Sequence, residues 1–285
     1  MGIELQILLV VSIIVGTSLQ QVFKKAYNVR GNTCVYIFSA ITVAAACLFF
    51  VATASYPMSF TWEMVPYSVG FATGYLFAAV CTMLAINEGS LSLTSLAISF
   101  SLLIPTVYGL VFYDEPLTVW FFIGLALLIG SLILINTNGG EIKITLKWGI
   151  YIILAFVGNG ACSTVQNVYA RSFSGGSSEF MIIALSIVFA FLLGISIFKE
   201  RPGIVPSVKK YWYLMVLCGV ANGASNLFVI ALSPNMPASI MFPLISAGGI
   251  VLTSLISIFI YRERLSVLQY IGMVLGIGAI VFLNI

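Results

Sequence analysis

The sequence predicts an all-α integral membrane protein, with ten transmembrane helices built as two inverted five-helix repeats. Three observations lead to this fold class: the composition, the spacing of the apolar segments and an internal repetition. Of the 285 residues, 61% are hydrophobic and only 7% are charged, whereas a soluble domain carries about 25% charged residues. A chain this apolar cannot keep its surface hydrated, so we expect lipid to be its solvent.

Ten apolar segments, each about as long as a membrane-crossing helix, are separated by short polar breaks. The predicted spans cover residues 4–23, 33–52, 65–86, 90–112, 117–137, 148–170, 179–198, 211–232, 238–260 and 267–284. The breaks contain glycine, proline, asparagine or charged residues, and all are short, so neighbouring helices are expected to run antiparallel. The four tryptophans fall at or beside predicted span ends, where an indole prefers the headgroup boundary; they are Trp62, Trp120, Trp148 and Trp212.

The basic residues alternate from one side of the predicted bundle to the other. The loops that follow odd-numbered spans hold 11 of the 12 lysines and arginines, and Arg171 is the exception. The eleven are Lys24, Lys25, Arg30, Lys143, Lys147, Lys199, Arg201, Lys209, Lys210, Arg262 and Arg264. Because basic loops stay in the cytoplasm, the sequence predicts a multi-pass protein of the cytoplasmic membrane with both termini extracytoplasmic.

An internal repetition relates the two halves of the chain. Residues 113–136 and 261–284 align without a gap at 10 identical positions, including the pairs Tyr113/Tyr261 and Glu115/Glu263. Shorter matches relate residues 70–74 to 219–223, and Gln20 to Gln166. The sequence thus predicts a first repeat over 1–140 and a second over 141–285, within one membrane domain. Five is an odd number of spans, so the two repeats enter the membrane in opposite directions, an arrangement typical of carriers.

The repeated turn carries a family resemblance. Each half ends in Glu-x-Leu-(Ser/Thr), at Glu115 and Glu263, before a span of the form Ile-Gly-x5-Gly. This pattern resembles the drug/metabolite transporter superfamily, and most closely its ten-span EamA-type members. The resemblance implies a central cavity between the halves, lined mainly by spans 1, 3, 4, 6, 8 and 9. It also implies substrates such as amino acids, nucleotide precursors, other metabolites or toxic organic compounds. Many members of the superfamily place their termini inside, whereas the charges of this chain place them outside.

Polar side chains within the predicted spans are the candidate substrate contacts, since such groups in lipid need partners or a wet cavity. Asn159, Ser163 and Gln166 fall on one face of span 6. The other candidates are Tyr75 in span 3, Ser101 and Tyr108 in span 4, and Asn222 and Asn226 in span 8. Two interpretations remain open: a neutral cavity that hydrogen-bonds a polar solute, or hydrogen bonds between helices that fix their packing.

Charged groups and metal ligands are scarce inside the predicted membrane region. The chain has no histidine, the usual metal ligand and proton shuttle, and every acidic residue falls at a span end or in a loop. We therefore expect no metal site and no cofactor. Glu88, at the end of span 3, is the nearest candidate for ion coupling, and a solvated loop charge is the alternative interpretation.

Glycines spaced as G-x-x-x-G allow close approach of two helix backbones. Three such pairs occur in the predicted spans: Gly70/Gly74, Gly219/Gly223 and Gly272/Gly276. We interpret them as packing contacts between helices.

Together these patterns predict a secondary carrier that moves a small neutral or zwitterionic organic solute by alternating access. The solute class is an amino acid, a nucleobase- or nucleoside-like metabolite, or a drug-like compound. A channel is the main alternative, although channels favour rings of like groups around an oligomer axis. An intramembrane enzyme would need a nucleophile–base pair or metal ligands. The expected partners are the substrate and the lipid bilayer, with no nucleic acid, and the expected assembly is a monomer or homodimer.

Overall fold

The computed structural model describes residues 2–28, 34–88, 100–115, 118–136, 146–173, 175–259 and 266–283. This part of the chain forms ten α-helices and no strand. They are α1 (Ile3–Asn28), α2 (Val35–Thr53), α3 (Met64–Glu88), α4 (Leu103–Phe112), α5 (Val119–Asn136), α6 (Leu146–Ser172), α7 (Ser177–Lys199), α8 (Arg201–Leu232), α9 (Ala238–Phe259) and α10 (Val267–Leu283). The predicted all-α class is confirmed.

Six of these helices, α1, α2, α3, α6, α7 and α8, are long and apolar enough to cross a membrane. The other four are shorter apolar helices. Each described helix overlaps one predicted span, but α4 covers only the last ten residues of the span predicted over 90–112. Residues 90–99 of that span lie outside the described part of the chain.

The start of α8 differs from the sequence prediction. We expected a polar break between the spans over 179–198 and 211–232, whereas the helix begins at Arg201 and only Glu200 separates it from α7. The expected break is wrong because Pro202 lies in the first turn, where its missing N–H would have no helical partner in any case. At 32 residues, α8 is about 48 Å long at 1.5 Å per residue. The basic residues Lys209 and Lys210 therefore lie on a helix and not in a loop.

The helices gather into two compact units. Unit I consists of Gly2–Leu76 and Val165–Pro234, and unit II consists mainly of Phe77–Thr164 and Asn235–Ile285. Each unit draws helices from both halves of the sequence. The two-repeat division predicted from the sequence stays a prediction.

In unit I, α8 packs along both α1 and α2. Two glycines make the contact with α2 close: a Cβ on Gly219 would strike the backbone carbonyl of Thr42, and one on Gly223 would lie 2.8 Å from the Phe49 ring. The packing interpretation of this G-x-x-x-G pair is confirmed. A buried apolar cluster from α1, α2 and α8 adds to the contact and includes Tyr27, Phe38, Tyr211, Leu214, Met215 and Cys218.

In unit II, α5 packs along α10, and α9 packs against α10 and α4. The Ser131 hydroxyl donates to the Gly272 carbonyl at 2.6 Å. A Cβ on Gly276 would lie 3.0 Å from the Ser131 oxygen. The Gly272/Gly276 pair thus also lies in a close helix contact.

A carboxylate holds the first turn of one helix in each unit. In unit I, the Glu200 carboxylate accepts hydrogen bonds from the backbone N–H groups of Tyr36 and Ile37, at 2.9 and 2.8 Å. In unit II, Glu115 accepts those of Ala238 and Ser239, both at 2.8 Å. The first N–H groups of a helix have no partner within it and carry partial positive charge, so both carboxylates satisfy these donors and stabilise the helix start.

Candidate functional site

Four amide side chains from three helices of unit I form a hydrogen-bonded row. Gln166 of α6 donates from Nε2 to Oδ1 of Asn226 at 3.1 Å. Asn226 donates from Nδ2 to Oδ1 of Asn222 at 3.2 Å, one turn away on α8. Asn222 then donates from Nδ2 to Oε1 of Gln20, on α1, at 3.0 Å. We call these four residues the amide row.

Local packing explains how the row comes together. Asn222 and Asn226 are four residues apart, so they share one face of α8. Gly16 of α1 lies against Ser225 of α8, where an added Cβ would collide with the serine hydroxyl. This close approach brings Gln20, one turn further along α1, beside Asn222.

The row is largely enclosed but carries no charge. Gln166 and Gln20 are 4% and 8% exposed, and Asn222 and Asn226 are half-buried. Each amide group has two N–H donors and one carbonyl acceptor. The row can therefore exchange hydrogen bonds with a polar solute without requiring a counter-ion.

Two further polar side chains of unit I have unused hydrogen-bonding capacity. Asn167, beside Gln166 on α6, is 1% exposed, and neither atom of its amide has a hydrogen-bond partner in the described part of the chain. The hydroxyl of Ser18, two residues before Gln20 on α1, is likewise buried without a partner there. A buried polar group without a partner costs about 1–3 kcal/mol, so water or a bound molecule would stabilise these positions.

A second polar contact lies in unit II. Asn159 of α6 donates from Nδ2 to the hydroxyl oxygen of Ser101 at 2.6 Å, and Ser101 is fully buried. Ser163, one turn from Asn159, is half-buried. The structure thus pairs two of the predicted site residues, from spans 4 and 6.

The two predicted tyrosines make aromatic contacts. In unit I, Tyr75 stacks on Phe71 with ring centroids 6.1 Å apart. In unit II, Tyr108 stacks on Phe112 at 4.5 Å. The side chain of Glu88 lies outside the described part of the structure, so its predicted role in coupling stays a prediction.

Gln20, in predicted span 1, is the fourth member of the row, and the sequence repetition aligns it with Gln166. These two glutamines are the two ends of the row. The contacts of Gln20 and Gln166 with α8 depend on how the helices pack, and the positions of apolar segments in the sequence do not show this packing.

Comparison with known proteins places half of this chain in a family. Residues 146–285 match the model of the EamA-like transporter family. This segment is an EamA-like transporter sequence. The EamA-like family is part of the drug/metabolite transporter superfamily, so the resemblance inferred from the repeated turn is confirmed. EamA-like proteins are transporters of small solutes, and residues 146–285 of this chain are similar to them.

A solved crystal structure of another protein has the same fold as this chain. The alignment has a TM-score of 0.76 and 14% sequence identity, and it covers 99% of this chain and 96% of the other. At this identity the likeness shows the fold alone. No curated protein matches the chain in sequence.

Proposed function

We propose that this chain is a secondary carrier that moves a small neutral or zwitterionic organic solute across the cytoplasmic membrane by alternating access. In this proposal the chain has ten spans, arranged as two inverted five-helix repeats, and the amide row is part of the substrate site. The observation that carries the proposal is the row itself: four amides on α1, α6 and α8, three helices long and apolar enough to cross a membrane.

Burying this many polar groups in membrane helices costs free energy, and polar residues at such positions typically serve a function. Packing alone needs few hydrogen bonds, because the glycine contacts of α8 already bring its backbone close to α1 and α2. Asn167, the next residue to Gln166 on α6, has an amide that lacks a hydrogen-bond partner among the described residues, and this amide adds donors and an acceptor. The uncharged chemistry of these groups favours a solute without net charge.

The first experiment identifies the solute. Purified protein is screened by thermal shift against a metabolite library, since a ligand that binds only the folded state raises the melting temperature. Counterflow in proteoliposomes then separates a carrier from a channel: a carrier accelerates labelled uptake when unlabelled solute is present on the far side. Absence of counterflow for a solute that permeates would contradict the carrier proposal.

Replacing Asn226 tests the row directly. We expect Asn226→Ala to weaken binding of the identified solute by about 1–3 kcal/mol, the cost of losing a buried hydrogen-bond partner. Ser225→Ala is the matched control, because within the described part of the chain the neighbouring hydroxyl donates to the carbonyl of Ala221 on its own helix, at 2.8 Å, and not to the row. Binding is measured by titration, and the melting temperature is measured without solute. Normal binding by Asn226→Ala together with a melting temperature several degrees lower would mean that the row is structural.

A further inference from the structure

A cavity of about 430 Å³ opens in unit I where α7 passes into α8. Its walls come from the start of α2, the end of α7 and the first turn of α8. The lining residues are Cys34, Tyr36, Lys199, Glu200, Pro202 and Gly203.

The cavity lies at the end of the apolar part of two membrane helices. The apolar sequence of α2 begins at Val35, and that of α7 ends at Phe198. We expect both ends to lie where lipid headgroups replace hydrocarbon. Phe198 is 90% exposed and Val205, on the first turns of α8, is 60% exposed. Apolar side chains beside the opening are suited to contact with acyl chains.

The lining holds one cation, Lys199, and one carboxylate, Glu200, and four of the five charged residues from position 199 to 210 are basic. The Glu200 carboxylate is engaged by the N–H groups of Tyr36 and Ile37 and by the hydroxyl of Ser196, 3.0 Å away. The exposed ammonium group of Lys199 lies 5.6 Å from the centre of the Tyr36 ring.

The other groups around the cavity do not offset this charge. Cys34 is a buried thiol, which adds no positive or negative charge to the lining at neutral pH. Three further exposed cations follow on α8: Arg201, Lys209 and Lys210.

We propose that this cavity binds the headgroup of an anionic phospholipid. Lys199, at the rim, donates to the phosphate oxygens, as ammonium groups do in charge-assisted hydrogen bonds. The cations on α8 attract a headgroup with net negative charge and repel the positive group of choline or ethanolamine lipids. This binding is independent of the transported solute.

Native mass spectrometry of the purified full chain tests the proposal. The protein is mixed with equal amounts of phosphatidylglycerol and phosphatidylcholine, and the retained lipid is measured. We expect phosphatidylglycerol to be retained preferentially. Lys199→Gln should reduce that retention about fivefold, the factor that one basic residue near an anionic membrane surface contributes.

Lys147→Gln is the matched control. Lys147 is an exposed lysine in the first turn of α6 and is not one of the residues that line the cavity, so its replacement removes the same charge without changing the lining. This variant should retain phosphatidylglycerol as the unmodified protein does. Equal retention of the two lipids by the unmodified protein, or equal retention of phosphatidylglycerol by the two variants, would overturn the proposal. Melting temperatures in phosphatidylcholine should be the same for all three proteins and show that they are folded.

Discussion

At Gly219 the backbone of α8 lies directly against that of α2. A Cβ at this position would meet the Thr42 carbonyl oxygen and the Cβ of Ala45. Backbone atoms cannot move aside as the end of a flexible side chain can. Gly219 is therefore a residue at which even one added methyl group separates two packed helices.

We expect Gly219→Ala to lower the free energy of unfolding by about 1–3 kcal/mol, the usual cost of overpacking a buried contact. Gly194→Ala on α7 is the control, because a Cβ there meets no atom within 4 Å. Alanine favours a helix by about 1 kcal/mol over glycine, so the control should melt at the same or a higher temperature. Thermal unfolding in detergent measures both variants, and equal melting temperatures would contradict the close contact seen at Gly219.

Some contacts between individual residues of the amide row could be predicted from the sequence, and others could not. The grouping of Asn222 with Asn226 followed from their spacing of four residues, which fixes one helix face. The pairing of Asn222 with Gln20 could not be predicted in this way. It depends on how closely α1 approaches α8, and that is set by Gly16 and Ser225, two small residues that have no distinctive pattern in the sequence.

At the scale of elements, helix ends proved harder to predict than helix interiors. Apolar composition located the interior of α8, but its first ten residues contain prolines and charges, which are typical of loops. They are helical because Pro202 occupies the first turn, and α8 continues through Pro206. Similarly, nothing in the charge pattern showed that Glu200 would engage the start of α2.

The Glu200 contact gives a prediction for one element. Glu200→Gln replaces one acceptor oxygen with an NH₂ group, so one N–H at the start of α2 loses its partner. We expect a stability loss of about 0.5–2 kcal/mol, the range for loss of a helix cap. Amide hydrogen exchange should also become faster at Tyr36 and Ile37. Glu63→Gln, an exposed carboxylate before α3, is the control. Unchanged protection at Tyr36 and Ile37 would rule out the contact as a stabilising cap.

At the scale of the whole molecule, the charge distribution predicts orientation. With 11 of 12 basic residues in alternate loops of the predicted topology, both termini should be extracytoplasmic. An alkaline phosphatase fused after Ile285 is expected to be active, and a fluorescent protein that matures only in the cytosol is expected to stay dark. The opposite result would reverse the proposed topology and leave the internal repetition unaffected.

The amide row has a fixed polarity, which follows from its bonds to the backbone. Gln166 donates to the backbone carbonyl of Asn226 as well as to its side chain, at 3.1 Å each. Asn226 does the same to Asn222, at 2.9 Å for the backbone bond and 3.2 Å for the side-chain bond. Turning either amide end for end would place its oxygen against a backbone oxygen, with no proton between them.

Two of the three links in the row therefore cannot reverse. The Gln166 carbonyl remains an acceptor at one end, and the Gln20 NH₂ group remains a donor at the other. In the proposed carrier, a solute lying along the row would meet two unlike ends, so its two possible orientations would differ in energy. One alignment would then be favoured before any conformational change begins.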